Sequence, residues 1–251
     1  MTAAAAASGP ALEAWAERLA ARPAWTPPER RGAGRALAVT AHPDDEVLAL
    51  GGVLMTLAAR GWTVDLLVLT DGEAAYPSLD PAAARRLAAL RRGELETAWQ
   101  RLGLAARGRV LRAGLPDSRL PEAEDAVREA VARAAGDGPG GGAAPDLVAG
   151  LWEHDPHRDH ACAARAAGAL AGELGVPCVR APLRAQGWWA SGDARLPWAS
   201  VARVPLGGEA RWRLSYALAA HASQVEGFEG AGPLLVPADL ALAGDGLVVA
   251  S

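Results

Sequence analysis

The chain contains no lysine, since all 25 of its basic residues are arginine. The printed sequence therefore cannot use a mechanism that requires a Schiff-base lysine or a lysine general base. Only two cysteines occur in 251 residues, too few for a disulfide framework. No run approaches the roughly 18 uninterrupted apolar residues of a membrane span, and the first ten residues lack the features of a signal peptide. We therefore expect a cytoplasmic protein without a membrane partner.

The composition is that of a folded globular protein. Hydrophobic residues make up 51% of the chain and charged residues 22%, which supplies a core and argues against disorder. The formal net charge of −4 gives no general attraction to nucleic acid, so we expect no such partner. Helical periodicity at residues 11–21 is followed by prolines. We predict an N-terminal helix and linker at residues 1–34 and a single domain at residues 35–251.

Short apolar runs alternate with helical patterns along that domain. Buried strands are predicted at residues 35–40, 63–70, 109–114 and 146–152, and one helix is predicted at residues 47–61. This order predicts an α/β fold, a Rossmann-like three-layer sandwich with a mostly parallel central sheet. Ligands of such sheets bind beyond the carboxyl ends of the strands.

The first polar cluster, A-H-P-D-D-E at residues 41–46, directly follows the first predicted strand. A catalytic zinc ion usually has three protein ligands and one open position for water, and imidazole and carboxylate are suitable ligands. A strand-to-helix turn can direct His42 and Asp45 to one point and place Asp44 beside the open position as a general base. An ordinary helix N-cap is the alternative, but it does not account for three acids and a histidine in five residues.

The second cluster, H-D-P-H-R-D-H at residues 154–160, follows the fourth predicted strand and contains three of the five histidines. His160 can supply the third metal ligand. His157 can lie beside the metal and stabilise an oxyanion, and either His157 or the proton taken up by Asp44 can protonate the leaving amine. Asp159 can orient His157, as carboxylates behind a catalytic histidine do. A solvated polar loop is the alternative interpretation.

Together, A-H-P-D-D-E and H-x-D-H resemble the LmbE or PIG-L family of metal-dependent N-deacetylases, over about residues 35–224. Enzymes of this family remove acetyl groups from amino sugars and their conjugates. The resemblance implies that Asp44 is the general base and that His157, with Asp159 behind it, stabilises the oxyanion. It implies zinc as the cofactor, with Fe(II) or another divalent ion as an alternative. The implied zinc ligands are His42, Asp45 and His160.

Smaller motifs match the same family. The D-G-E segment that ends in Glu73 resembles the segment after the family's second strand, and we expect Glu73 to contact the substrate. Arg91 resembles the arginine of an R-x-x-E pair that faces the substrate, although a surface ion pair with Glu94 is an equal alternative. Two further matches are L-P-D at residues 115–117 and H-x-S-Q at residues 221–224.

Two of the nine tryptophans are predicted to contact the substrate. Trp188 and Trp189 lie in a predicted loop at residues 187–198, and aromatic faces suit the apolar faces of sugars. A hydrophobic lid or an oligomer contact is an equal alternative for this loop. The sequence therefore leaves open whether the protein forms a homo-oligomer.

We expect hydrolysis of a small-molecule N-acetylated sugar or glycoconjugate to acetate and a free amine. The alternative is a catalytically inactive metal-binding or carbohydrate-binding member of the same fold, which would have no use for the base Asp44. A nucleotide-binding protein is disfavoured because no G-x-G-x-x-G follows the first strand. A serine hydrolase is disfavoured because the sequence contains no G-x-S-x-G.

Overall fold

A computed structural model of the protein describes residues 9–30, 32–137, 143–183, 193–235 and 246–250. Its strands are β1 (Arg35–Thr40), β2 (Thr63–Thr70), β3 (Val110–Leu115), β4 (Leu147–Leu151), β5 (Cys178–Ala181), β6 (Val201–Val204) and β7 (Gly246–Ala250). They form one sheet in the order β3-β2-β1-β4-β5-β7-β6. β1 to β5 pair in parallel, and β7 is antiparallel to both β5 and β6. The predicted α/β fold with a mostly parallel sheet is confirmed.

Helices cover both faces of this sheet. They are α1 (Gly9–Ala20), α2 (Asp45–Leu48), α3 (Gly51–Ala59), α4 (Pro81–Arg101), α5 (Glu124–Gly136), α6 (Arg158–Leu174), α7 (Gly208–Leu218) and α8 (Ala222–Val225). One hydrophobic cluster joins α3, α4 and α7 to one face, and a second joins α5 and α6 to the other. Within the described parts of the chain, no helix is long and apolar enough to cross a bilayer.

The helix predicted after the first polar cluster is in fact two helices, α2 and α3. Two successive glycines follow the break, and glycine has a low helix propensity. A Cβ atom at Gly51 would displace the Leu214 side chain of α7, which packs against this glycine. Close approach of α7 therefore explains why glycine occupies the start of α3.

The N-terminal segment packs against the far edge of the sheet. Trp15 of α1 is 1% exposed and shares a hydrophobic cluster with Trp152 and Val249. The backbone of Arg203 in β6 accepts a hydrogen bond from Trp25 at 2.7 Å and donates one to Pro23 at 2.9 Å. The segment thus shares a core with the sheet, and the domain boundary after residue 34 stays a prediction.

A buried ion pair joins the beginning of β1 to β2. Nε and Nη2 of Arg35 lie 3.1 and 3.0 Å from Oδ2 of Asp65, which is fully buried. The same guanidinium donates hydrogen bonds to the carbonyls of Ala134 and Ala135 near the end of α5. Arg35 therefore compensates a buried carboxylate and satisfies carbonyls that a helix C-terminus leaves unpaired.

The substitution Asp65→Ala should lower the free energy of unfolding by about 3–5 kcal/mol, because it leaves the buried charge of Arg35 uncompensated. Equilibrium unfolding in urea measures this change. The matched control is Asp125→Ala, which removes the exposed partner of Arg128 and should leave the stability nearly unchanged. Equal stability of the two variants would contradict a structural role for the Arg35–Asp65 pair.

Candidate active site

The two polar clusters meet because β1 and β4 are neighbouring parallel strands. Val39 of β1 pairs with Gly150 of β4, so both strands end at the same edge of the sheet. The segment after β1 carries His42, and α6, which follows β4, carries His160 in its first turn. The centroids of these two imidazole rings are 5.3 Å apart.

Asp45 lies between the two histidines. Its Oδ1 is 3.3 Å from Nε2 of His160, and its Oδ2 is 3.7 Å from Nδ1 of His42. Oδ2 also accepts hydrogen bonds from the backbone N–H groups of Ala41 and His42, at 3.1 and 2.9 Å. All three side chains are buried, with exposures of 8% for His42 and 1% each for Asp45 and His160. The backbone therefore fixes the carboxylate between the two rings.

The opposite nitrogen of each ring faces a buried carboxylate. Nε2 of His42 lies 3.2 Å from Oδ1 of Asp117 and 3.4 Å from Oδ2 of Asp159. Nδ1 of His160 lies 3.3 Å from Oδ1 of Asp155. A histidine that binds a metal characteristically donates its other ring N–H to such a group, which fixes its tautomer. Each ring can thus offer an unprotonated nitrogen toward Asp45.

The carboxylates make this site strongly negative. Burial by itself would lower the pKa of His42, but hydrogen bonds to Asp117 and Asp159 and the charge of Asp45 raise that pKa to about 10. Burial by itself would raise the pKa of Asp117, but the hydrogen bond to His42 lowers it to about 2. Without another cation, a proton on His42 balances the surrounding carboxylates, so the charge of the site suits a divalent metal ion.

Several groups of donors in the described residues could accommodate such an ion. Donor atoms lie within 4.8 Å of one another in two sets, His42–His157–His160 and His42–Asp117–Asp159. In a tetrahedral zinc site, ligand atoms are about 3.3 Å apart, and Oδ1 of Asp45 lies 3.3 Å from Nε2 of His160. Neither set includes Asp45, so the ligand set of His42, Asp45 and His160 stays a prediction, which the carboxylates behind the two rings support.

Asp44 lines a cavity of about 340 Å³ beside these residues. Asp44 is 6% exposed, and burial raises the pKa of its carboxyl group to about 6 against the opposing charge of Arg91, whose Nη2 lies 3.9 Å from Oδ1. Asp44 has φ 121° and ψ −29°, in the left-handed half of conformational space. A carboxylate with a pKa near neutrality, in a cavity, is suited to proton transfer.

His157 and Asp159 are both near the site but do not pair as predicted. The His157 ring stacks on His160 with centroids 4.5 Å apart, and burial, followed by the charges of His160 and His42, lowers its pKa to about 4. Asp159 contacts His42 instead, and it accepts hydrogen bonds from the N–H groups of Ser118 and Leu120 at 2.7 and 3.2 Å. The loop after β3 supplies these donors, so Asp159 connects that loop to the site.

The surface ion pair considered for Arg91 is not present. Arg91 is 3% exposed and donates hydrogen bonds to the carbonyls of Gly72 and Pro43 at 2.8 and 2.7 Å. Glu94 is also buried, and it accepts hydrogen bonds from the N–H and Oγ–H of Ser223, both at 2.7 Å. Arg91 lines the cavity, whereas Glu94 anchors the segment that begins α8.

Of the other predicted substrate contacts, only Glu73 is among the described residues. Oε1 of Glu73 accepts a hydrogen bond from the N–H of Asp117 at 2.9 Å, so Glu73 supports the loop after β3. The two remaining positions, which fall outside the described residues, are Trp188 and Trp189.

Three buried residues belong to motifs found in the sequence but were given no role there, namely Glu46, Asp117 and His221. Nε2 of His221 lies 2.7 Å from Oε1 of Glu46, and neither residue is exposed. Burial by itself would lower the pKa of His221, but the charge of Glu46 and this hydrogen bond raise it. Asp117 was noted only as part of the L-P-D motif. Each of these residues belongs to a motif that the sequence shows. A motif, however, does not indicate which distant side chain its residues contact.

A family model described as PIG-L, GlcNAc-PI de-N-acetylase, matches residues 37–171. A 1D-myo-inositol 2-acetamido-2-deoxy-alpha-D-glucopyranoside deacetylase of Segniliparus rotundus is 44% identical over 82 residues, 30% of this chain and 26% of the relative. A protein of Catenulispora acidiphila with the same description, numbered 1, is 41% identical over 85 residues, 32% of this chain and 26% of the relative. The matches span about a quarter of the length of these relatives.

Solved structures show the same fold. N,N'-diacetylchitobiose deacetylase from Pyrococcus horikoshii has a TM-score of 0.56 at 19% identity, covering 76% of this chain and 70% of that chain. A zinc-inhibited form of teicoplanin deacetylase has a TM-score of 0.56 at 22% identity, covering 86% and 98%. The family model spans more than half of the chain and includes both polar clusters, and the chain therefore belongs to the PIG-L family.

Proposed function

We propose that the chain is a zinc-dependent N-deacetylase that hydrolyses an N-acetylated amino sugar or its glycoconjugate to acetate and a free amine. One observation carries the proposal. His42 and His160 each direct one ring nitrogen toward Asp45 and the other toward a buried carboxylate. Asp44, a buried acid with a pKa near 6, lines the adjoining cavity. The names of the relatives support the reaction class.

His42, Asp45 and His160 are the proposed ligands of the metal. When bound, zinc supplies a Lewis acid for the acetamide oxygen and lowers the pKa of a coordinated water to about 7. Asp45 has one oxygen available for this role, because Oδ2 is occupied by two backbone N–H groups. Fe(II) or another divalent ion also suits nitrogen and oxygen ligands, and it remains the alternative.

Asp44 is the proposed general base. Its pKa of about 6 leaves it ionised at neutral pH and still basic enough to accept a proton from the attacking water. The pKa of His157 is lowered to about 4, so its ring is neutral at that pH and can donate one N–H to the developing oxyanion. We propose that Asp44 returns the proton to the leaving amine, because its carboxyl group carries the proton taken from water.

The substrate class rests on the size and lining of the cavity. Ligand pockets typically have volumes of roughly 300–1,000 Å³, so a cavity of about 340 Å³ suits one sugar unit. Arg91 places a positive charge on its wall, and we propose that it contacts the sugar. Glu73, Trp188 and Trp189 stay predictions as substrate contacts.

The substitution Asp44→Asn should lower the rate of acetate release by about 10²–10⁴-fold, because the amide cannot accept the proton of water. Bound zinc should remain near one ion per chain in both wild type and variant. Acetate release is assayed on N-acetylglucosamine and N-acetylglucosaminyl glycosides, and zinc by elemental analysis. The matched control is Asp71→Asn, whose carboxylate is paired with Arg92, and it should keep wild-type activity.

Two results would separate this proposal from the alternative of an inactive binding protein. Zinc binding without acetate release from any of these sugars would favour the binding protein. Wild-type activity in Asp44→Asn would contradict the assignment of the base while leaving a deacetylase in place.

The substitution Asp155→Asn should weaken zinc affinity about 10–100-fold, because it removes the carboxylate behind His160 that makes its Nε2 a better ligand. Competition with a chromogenic chelator measures the dissociation constant. Asp71→Asn again serves as the control and should bind zinc as the wild type does. Unchanged affinity in Asp155→Asn would count against His160 as a ligand.

A further inference from the structure

The backbone at Asp44 is held in a conformation that amino acids other than glycine rarely adopt. Its φ of 121° lies far outside the regions that are comfortable for a residue with a Cβ atom. Such conformations persist only when the surrounding structure imposes them, and they are concentrated at functional sites. The groups that impose this conformation therefore control where the Asp44 carboxylate lies.

Both polar atoms of the Pro43–Asp44 peptide bond are bound by side chains. The Pro43 carbonyl accepts hydrogen bonds from Nη2 of Arg91 at 2.7 Å and from Nε2 of Gln224 at 3.0 Å. The Asp44 N–H donates to Oε2 of Glu46 at 2.8 Å. The peptide plane is thus fixed from its two opposite sides.

Glu46 is itself fixed by His221. Oε1 of Glu46 lies 2.7 Å from Nε2 of His221, and neither residue is exposed to water. His221 and Gln224 belong to one short segment at the beginning of α8, which Ser223 connects to Glu94 of α4. One segment therefore acts on both sides of the peptide, directly through Gln224 and indirectly through the His221–Glu46 pair.

We infer that Glu46, His221 and Gln224 are positioning residues that hold the Asp44 carboxylate in the geometry needed for proton transfer. This inference rests on the proposed deacetylation. Without Glu46, the Asp44 N–H loses its buried acceptor and the residue relaxes toward a negative φ, which moves its carboxylate. Asp45 keeps its backbone donors at Ala41 and His42, so the metal ligands stay in place.

The test is Glu46→Leu, which keeps the volume and removes both acceptor oxygens. We expect kcat to fall about 100-fold or more, as displacement of a catalytic group by an ångström can produce, with KM and zinc content close to wild type. Glu46→Gln should recover most of kcat, because its amide oxygen can accept from the Asp44 N–H and its amide nitrogen can donate to a neutral His221.

Two controls separate positioning from general stability. Leu57→Ala removes a fully buried side chain of α3 from the hydrophobic cluster on that face of the sheet and should keep the wild-type kcat. Gln224→Ala removes only one of the two donors to the Pro43 carbonyl and should lower kcat less than Glu46→Leu. Gln224→Ala also provides the test should Glu46→Leu not fold.

A crystal structure of zinc-loaded Glu46→Leu gives a readout that does not depend on turnover. We expect Asp44 to show a negative φ in the variant. An unchanged φ, or a wild-type kcat in both Glu46→Leu and Gln224→Ala, would overturn the inference. Absence of acetate release from the wild type would instead contradict the proposed function, so the two failures are distinguishable.

Discussion

The parallel pairing of β1 with β4 is the constraint on which the site depends. Neighbouring strands are about 4.8 Å apart, so residues that follow their carboxyl ends are close enough to bind the same metal ion. An intervening strand would double that separation, and the rings of His42 and His160 would no longer lie 5.3 Å apart. The sheet thus joins two segments that are more than a hundred residues apart in sequence.

Burial of charge is the second constraint. Three carboxylates surround His42, and burying such groups is costly unless opposite charge or hydrogen bonds compensate them. Backbone N–H groups supply part of the compensation, as they do for Asp45 and Asp159. A divalent cation would supply the rest, which couples metal binding to the stability of this edge of the sheet.

Local patterns were enough to predict the first four strands and the two clusters. Apolar runs of strand length form the buried strands β1 and β4. The A-H-P-D-D-E motif directly follows the first of these runs, so the sequence indicates that the motif lies at the carboxyl edge of the sheet. The same reasoning could not predict that Asp159 contacts His42, because its other partners belong to the loop after β3. Nor could it predict that Glu94 is buried, because that depends on where α8 packs.

Partners that are distant in sequence explain the remaining gaps. Glu46 and His221 are separated by 175 positions, and nothing near either residue indicates the other. The left-handed backbone of Asp44 is equally invisible in the sequence, since no glycine marks it. The residues that carry the chemistry were accessible from motifs, whereas the residues that orient them required the packing of α4, α6 and α8.

The most direct test of the central claim is the position of the metal. Crystals grown with zinc and measured at the zinc absorption edge would locate the ion by anomalous scattering. The account predicts one peak about 2.0–2.2 Å from Nδ1 of His42, an oxygen of Asp45 and Nε2 of His160. A peak bound instead by Nε2 of His42 together with Asp117 and Asp159 would contradict it.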